Sequence, residues 1–338
     1  MIPFHYVRAN DIADAVREIS ADPAAKFIAG GTNLIDLMKE DVECPSRLID
    51  ISRLPLKTIE ETEDGGLRIG ALVPNSDLAY HPLIAQRYPM LASAILAGAS
   101  AQLRNMASTG GNLLQRTRCY YFYDIATPCN KRDPGRGCSA IAGLNRMHAI
   151  LGTSDACIAT HPSDMCVALA ALDATVHVTG PGGARAIPFL AFHRLPENTP
   201  QRDTNLEPNE IVTAVELPPR GFAANHTYLK IRDRLSYAFA LVSVAAALEL
   251  EGATIKEARL SLGGVAHKPW RDPAAEAALR GQKADNAAFM GAANVLLRDA
   301  KGFEHNAFKI DLARRAIIRA LTQAAAGTPQ SQSNKKIT

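Results

Sequence analysis

The segments KFIAGGTNLIDLMK, residues 26–39, and MASTGGNLL, residues 106–114, decide how this chain is read. Each sets a Gly-Gly turn beside small hydroxyl or amide residues, Gly30-Gly31-Thr32-Asn33 in one and Ser108-Thr109-Gly110-Gly111-Asn112 in the other. Glycine lets backbone N–H groups come close to a phosphate, and Ser, Thr and Asn side chains add donors. Two such turns facing one another suit a pyrophosphate. A single Gly-Gly turn is more often only a turn, and neither segment matches G-x-G-x-x-G or a Walker loop, so Rossmann and P-loop readings lack their fingerprint.

Working outward, IADAVREI (12–19) has the period of a short amphipathic helix, and Lys26 begins an apolar strand that leads into the first turn. RLIDIS (47–52) and LRIGALV (67–73) read as strands, the second entered through Asp64-Gly65-Gly66. Residues 76–105 are helical in pieces, with Pro82 and Pro89 as breaks. Residues 115–160 hold no sustained periodicity and read as a loop-rich insertion. Order returns at HPSDMCVALAALDA (161–174), a helix with Ser163 or Asp164 at its start, and strands follow at 174–180 and 210–217. From Ala223 onward, strands at HTYLKIR, VSVAAALEL and KEARLSLGGVA precede helices near 273–282, 286–299 and 310–325, which makes a compact α+β unit. The last residues, QSQSNKKIT, are polar and read as disordered.

The chain of 338 residues has 47% hydrophobic and 21% charged residues, the balance of an ordinary globular protein. Its net charge of +3 gives no basic face for nucleic acid. No run of about 18 apolar residues spans a membrane. Residues Met1–Asn10 lack the pattern of a secretory signal.

Five of the six cysteines fall between 119 and 166, spaced Cys119-x9-Cys129-x8-Cys138-x18-Cys157 and then Cys166; Cys44 stands apart. An irregular, Gly/Pro-rich backbone bends freely enough to bring four thiolates to one centre. An iron–sulfur cluster uses such a set, and zinc accepts it too, although structural zinc usually shows paired C-x2–4-C knuckles, absent here. Arg116, Arg118, Lys131, Arg132, Arg136 and Arg146 outnumber the acids of the insertion and would offset the charge of a cluster. Cys166, in an apolar helical context, reads as a small buried hydrophobe. The nine histidines are scattered, none at ligand spacing from another; His148 and His161 flank Cys157 without a reason to make either a ligand.

The order AGGTN, RIGALV, ASTGGNL, HPSDM, YLKIRDR, ARLSLGGVAHKPWR resembles the FAD-binding subunits of the xanthine oxidase, or molybdenum hydroxylase, family over about residues 1–325. The RTRC, PCNKR and GC segments make it most similar to the aldehyde oxidoreductase branch found in the periplasm of enteric bacteria. Typical members run almost directly from GGN to the S-D helix. Here roughly 50 residues intervene between Asn112 and Asp164, as in that branch and in 4-hydroxybenzoyl-CoA reductases, whose insertions hold a [4Fe–4S] cluster.

The resemblance implies an α+β fold. A two-subdomain, PCMH-type FAD-binding domain (1–218, divided near 56/57, with the insertion at about 115–160) precedes a CO dehydrogenase flavoprotein-like C-terminal α+β domain (219–325) and a disordered tail (326–338). It implies FAD held by Lys26, Phe27, Ile28, Ala29, Gly30, Gly31, Thr32, Asn33 and Leu34, and by Ser108, Thr109, Gly110, Gly111 and Asn112. It adds a flavin-contacting Asp164 and a lysine near the isoalloxazine, Lys230. Read from the residues alone, Asp164 equally caps its helix and Lys230 is equally a solvated strand residue. The resemblance makes Cys119, Cys129, Cys138 and Cys157 the ligands of a [4Fe–4S] cluster. The expected role is electron transfer from a small [2Fe–2S] subunit, itself fed by a large molybdenum-cofactor subunit, through FAD to an external acceptor. An aryl-CoA reductase subunit is the alternative. Substrate is oxidised on the large subunit, so no catalytic acid or base is expected here. The expected compartment is the periplasm, reached with a signal-bearing partner, with the cytoplasm as the alternative.

Overall fold

The Asp11 carboxylate accepts the Asp14 N–H at 2.7 Å and starts the helix Ile12–Ala21, whose Ala15, Val16 and Ile19 turn inward as the 3.6-residue period requires. That helix and Leu34–Lys39 connect three parallel strands, His5–Arg8 (β1), Lys26–Ile28 (β2) and Arg47–Asp50 (β3), in the order β1-β3-β2. The computed structural model describes residues 1–332 of the chain.

An antiparallel sheet follows. Ile59–Glu61 (β4), Leu67–Gly70 (β5), Thr175–Gly180 (β6), Gly183–Pro188 (β7) and Ile211–Leu217 (β8) lie in the order β4-β5-β8-β6-β7. Gly65, with φ +83°, makes the turn between β4 and β5. After β5 the chain runs first through the helices Asn75–Tyr80, Pro82–Arg87, Pro89–Ala97 and Ala101–Met106. Pro82 and Pro89 begin helices at N1, where a missing N–H costs nothing, rather than only interrupting one. The second Gly-Gly segment differs from the expected turn: Ser108 caps a short helix, Thr109–Leu113, with its hydroxyl 3.2 Å from the Gly111 N–H.

The third sheet consists of His226–Ile231 (β9), Val242–Glu251 (β10), Thr254–Gly263 (β11) and Trp270–Arg271 (β12), in the order β12-β11-β10-β9. Along β10 the side chains alternate. Val242, Val244, Ala246 and Leu248 join a core closed by the helices Asn286–Leu296 and Phe308–Ala325, while Ala245 and Ala247 join the core of the second sheet. Both faces are covered, which is why VSVAAAL reads as a continuous apolar run. Between the two sheets lies the helix Asp164–Ala171, with all eight residues buried. Its apolar character all round marks a core helix rather than an amphipathic one.

Residues 115–160 form the expected irregular excursion, with one short helix (Tyr120–Tyr123) and isolated bridges at Cys129–Cys138 and Ser154–Cys157. Lys309, wholly buried, donates to His148 O at 2.8 Å and Gly264 O at 2.6 Å, tying the insertion to the C-terminal helix and the turn after β11. The expected disordered tail is ordered over its first residues, where Gln330 N–H donates to Thr227 Oγ1 at 2.9 Å; residues 333–338 lie outside the described residues.

Candidate functional site

Gly30 sits where the first parallel unit meets the helices of the second sheet. A Cβ there would lie 1.8 Å from Met106 O, so only glycine permits the approach. At this junction a cleft of about 1080 Å³ opens, walled by every residue from Lys26 to Leu34 and by Ser108, Gly110, Gly111 and Asn112. That volume is at the upper end of small-molecule sites and fits a ligand as long as a dinucleotide.

The two turns contribute differently. With Gly31 at φ +70°, the N–H groups of Gly30, Gly31, Thr32 and Asn33 donate to no protein acceptor among the described residues, which leaves an anion-binding nest. At the second turn the backbone is already committed. Thr109 N–H donates to Val73 O, Gly110 N–H to Ala71 O and Asn112 N–H to Ser108 O, each at 2.7–2.9 Å. Thr109 also spends its hydroxyl on Val73 O and is absent from the cleft wall. Thr109 thus anchors this turn to the segment after β5, whose Ala71 and Val73 carbonyls take N–H groups that a free turn would offer.

Side chains supply what that backbone does not. Asn33 Nδ2 and Asn75 Nδ2 both face the cleft, buried and without a partner, and such orphan donors are rare unless a ligand satisfies them. Asn75 Oδ1 accepts from Asn112 Nδ2 at 2.7 Å, and Asn112 Oδ1 accepts from Ser163 Oγ at 2.5 Å. Asn75 escaped the sequence reading. The Pro-Asn step at a helix start was its one signal.

Asp164 and Lys230 meet at the far end of the cleft. Lys230 Nζ lies 2.7 Å from Asp164 Oδ2, with the two side chains only 2% and 6% exposed, and Tyr228 OH donates to Asp164 Oδ1 at 2.7 Å. Lys230 also donates to Ala97 O at 3.1 Å. Neither modest reading holds. Ser163, not Asp164, caps the helix by accepting Cys166 N–H at 3.1 Å, and Lys230 is not solvated. Burial, and then the Asp164 charge, push the Tyr228 hydroxyl well above its usual range, so it stays a donor.

Cys119, Cys129, Cys138 and Cys157 all line one small cavity of the insertion. Cys138 is half-buried and the others buried. Among the described residues no three of these sulfurs lie within 4.8 Å of one another. Burial raises the Cys119 thiol to about 12, while Cys138 is held down to about 6, chiefly by the neighbouring Cys157. His148 Nε2 lies 3.1 Å from Cys119 Sγ, a contact that the sequence spacing did not signal. Desolvation, reinforced by Lys309, lowers His148 to about 4 and keeps the ring neutral.

The basic residues expected to offset a cluster's charge are mostly spent elsewhere. Arg116 pairs with Glu43 and Asp203, Lys131 with Asp203, Arg136 with Asp133 and Arg146 with Asp233. Arg132 donates to the carbonyls of Tyr121 and Phe122. Apart from Asp133, these acids come from outside the insertion, which a local charge count overlooks. Among the described residues Arg118 pairs with no carboxylate; it donates to Arg116 O and lines the cleft with its guanidinium 5.1 Å from the Phe239 ring centroid.

Residues 2–220 match the FAD binding domain in molybdopterin dehydrogenase, and residues 226–324 match the CO dehydrogenase flavoprotein C-terminal domain. The chain is 51% identical to the aldehyde oxidoreductase FAD-binding subunit PaoB of Escherichia coli, covering 96% of this chain and 99% of that protein. It is 29% identical to the glyceraldehyde dehydrogenase medium chain of Sulfolobus acidocaldarius, over 83% and 82% of the two chains. Among solved structures, a chain of the carbon monoxide dehydrogenase of Hydrogenophaga pseudoflava superposes with a TM-score of 0.75 at 27% identity, covering 97% of this chain and 99% of that one.

Proposed function

Because the chain belongs to the FAD-binding subunits of the xanthine oxidase family, we propose that it is the FAD and [4Fe–4S] electron-transfer subunit of a molybdenum-dependent aldehyde oxidoreductase. The observation that carries the cluster is the meeting of Cys119, Cys129, Cys138 and Cys157 around one cavity. Thiolates bound tetrahedrally to one zinc stand about 3.8 Å apart, from a Zn–S bond of about 2.3 Å. Among the described residues no three of these sulfurs come within 4.8 Å of one another, which favours a larger centre over a single closed zinc site. His148 and the Ala159 N–H, 3.4 Å from Cys157 Sγ, would give hydrogen bonds to cluster sulfur ligands.

The cleft fits FAD by the same kind of test. It leaves the free amide nest and the orphaned Asn33 and Asn75 donors for a pyrophosphate and its ribose hydroxyls, and the Asp164–Lys230 pair for the polar edge of an isoalloxazine. When bound, FAD supplies the exchange between two-electron and one-electron transfer. The protein's part is to fix the ring, to set the charge around it and to leave it open to an acceptor. Tyr237 and Phe239, 57% and 40% exposed, stand on the cleft wall where an acceptor would approach.

In this reading a large molybdenum-cofactor subunit oxidises the aldehyde and a small [2Fe–2S] subunit delivers electrons to this chain. The complex reaches the periplasm with a signal-bearing partner, a point that cell fractionation checks. The 51% likeness to an aldehyde oxidoreductase subunit favours aldehydes over aryl-CoA thioesters. Anaerobic purification tests the assignment. About four irons and four acid-labile sulfides per chain are expected beside one flavin. Zinc without iron would defeat the cluster, and a colourless protein would defeat both cofactors.

A further inference from the structure

Two residues beyond Asp164, Cys166 is fully buried and plays no part in the cleft or in the four-cysteine cavity. Its sulfur and one ring nitrogen from each of His161 and His193 all lie within 4.8 Å of one another. The three residues come from two parts of the chain. His161 precedes the helix Asp164–Ala171, Cys166 lies on it, and His193 ends the helix Phe189–Phe192.

The histidines are not satisfied as core residues usually are. His193 donates from Nε2 to Leu113 O at 2.9 Å, so its Nδ1 carries the lone pair, and that Nδ1 is buried without a partner. Nε2 of His161 is buried and unpartnered too. The two rings stand 4.3 Å apart between centroids, and Phe189 and Phe192 close around His193 at 5.6 and 4.9 Å. A ring held by a backbone carbonyl through one nitrogen, with the other bare, is how metal-binding imidazoles are oriented.

We propose that His161, Cys166 and His193 form a trigonal site for a single soft d10 metal ion, Cu+ before Zn2+, separate from the flavin and cluster sites. Coordinated nitrogen and sulfur ligands stand about 3.4–3.8 Å apart, so a contraction of about 1 Å closes the set. Thiolate with imidazoles selects Cu+ or Zn2+ over harder ions. Charge then ranks the two. Cu+ with one thiolate is neutral and accepts three ligands, as a pocket walled by phenylalanines demands. Zn2+ would leave a net positive charge and call for a fourth ligand, while the acid nearby, Asp203, is held by Arg116 and Lys131. Binding releases the Cys166 thiol proton to solvent and involves no redox step. The ion would pin the helix that presents Asp164 to the cleft, with its lead-in, to the end of the helix Phe189–Phe192.

Anaerobic Cu+ titration of the intact protein against a chromophoric chelator tests this, with iron and flavin measured on the same samples. The parent should hold about one equivalent of tight Cu+ that Cys166→Ala and His161→Gln each lose, with iron and flavin unchanged. X-ray absorption at the copper edge of the parent should show one sulfur and two nitrogen neighbours, and this reading stands even where a variant misfolds. Tight Zn2+ with the same variant dependence would keep the site and overturn the preference for copper. Equal uptake by parent and variants, or an all-sulfur shell, would overturn the site itself.

Discussion

Gly30→Ala is the sharpest probe of the cleft. The new Cβ would lie 1.8 Å from Met106 O and 2.7 Å from Met106 C. Carbon and a carbonyl oxygen rest at about 3.3 Å or more, so the two segments must part by about 1.5 Å. The Met106 side cannot yield easily. Ala107 N–H donates to Leu103 O and Ala107 O accepts Asn75 N–H, both at 2.8 Å, and Ser108 bridges to Pro74. The first turn must move instead, carrying its four free N–H groups away from the second. A hydrogen bond to a charged group is worth about 1.5–3 kcal/mol, so losing one such bond to a phosphate weakens flavin binding about ten- to a hundred-fold. Overpacking costs a further 1–3 kcal/mol or so of stability. Flavin fluorescence on titrating the apoprotein reads the affinity, and urea unfolding reads the stability. Gly291→Ala is the control. It lies in the helix Asn286–Leu296 with nothing within 4 Å of its Cβ, and it should gain about 0.5–1 kcal/mol. A Gly30→Ala protein that binds FAD within about threefold of the parent would refute the assignment of the nest.

Lys230→Met leaves the Asp164 carboxylate buried beside Tyr228 and should cost about 3–5 kcal/mol in urea, whereas adding Asp164→Asn should recover part of it; additive losses would mean the pair is not coupled. Cys138→Ser should strip the iron and loosen the insertion, because metal binding is tied to folding there, and unchanged iron would give its ligand position to another residue. His267 is buried, with Nε2 2.6 Å from Lys131 Nζ, and desolvation followed by the Lys131 charge lowers it to about 4. The unfolded chain then binds a proton that the folded one refuses between about pH 6.5 and 4. The stability is complete above about pH 6.5 and falls by about 3 kcal/mol as pH drops to 4, a slope that His267→Gln should flatten; an unaltered acid transition in the variant would count against it.

Much of the fold was legible because its signals are local. The helix after Asp11, the strands of the C-terminal sheet and the helices after Pro273 and Asp285 carry their own period, caps and turn residues. The insertion was legible as an absence of period. What local pattern could not convey was the state of the backbone at Ser108–Asn112. Gly-Gly beside Ser and Thr describes a phosphate turn and a capped helical turn equally well, and the acceptors Ala71 and Val73 that decide between them lie nearly 40 residues back in sequence. The partners of Arg116, Lys131 and Arg146 were hidden for the same reason. So was the approach of His161 to His193, separated by 31 intervening residues yet with ring centroids 4.3 Å apart.

The cleft cannot be the property of the FAD-binding half alone. Asn75, beyond the second sheet's β5, holds Asn112; Asn112 accepts from Ser163; Ser163 caps the helix on which Asp164 stands; and Asp164 is paired by Lys230 of β9 in the third sheet. The chain of contacts passes through side chains that are almost all buried, so displacing the third sheet would uncover Asp164 and loosen the cap at Ser163 together. The helix Asp164–Ala171 has no solvated face that could keep it in place without β10 and β11 against it. A fragment ending near residue 220 should therefore lose FAD affinity as well as stability, even though it retains the whole amide nest at Gly30–Asn33. A fragment that binds FAD like the full chain would show that the Asp164–Lys230 pair and its supports are dispensable for holding the flavin.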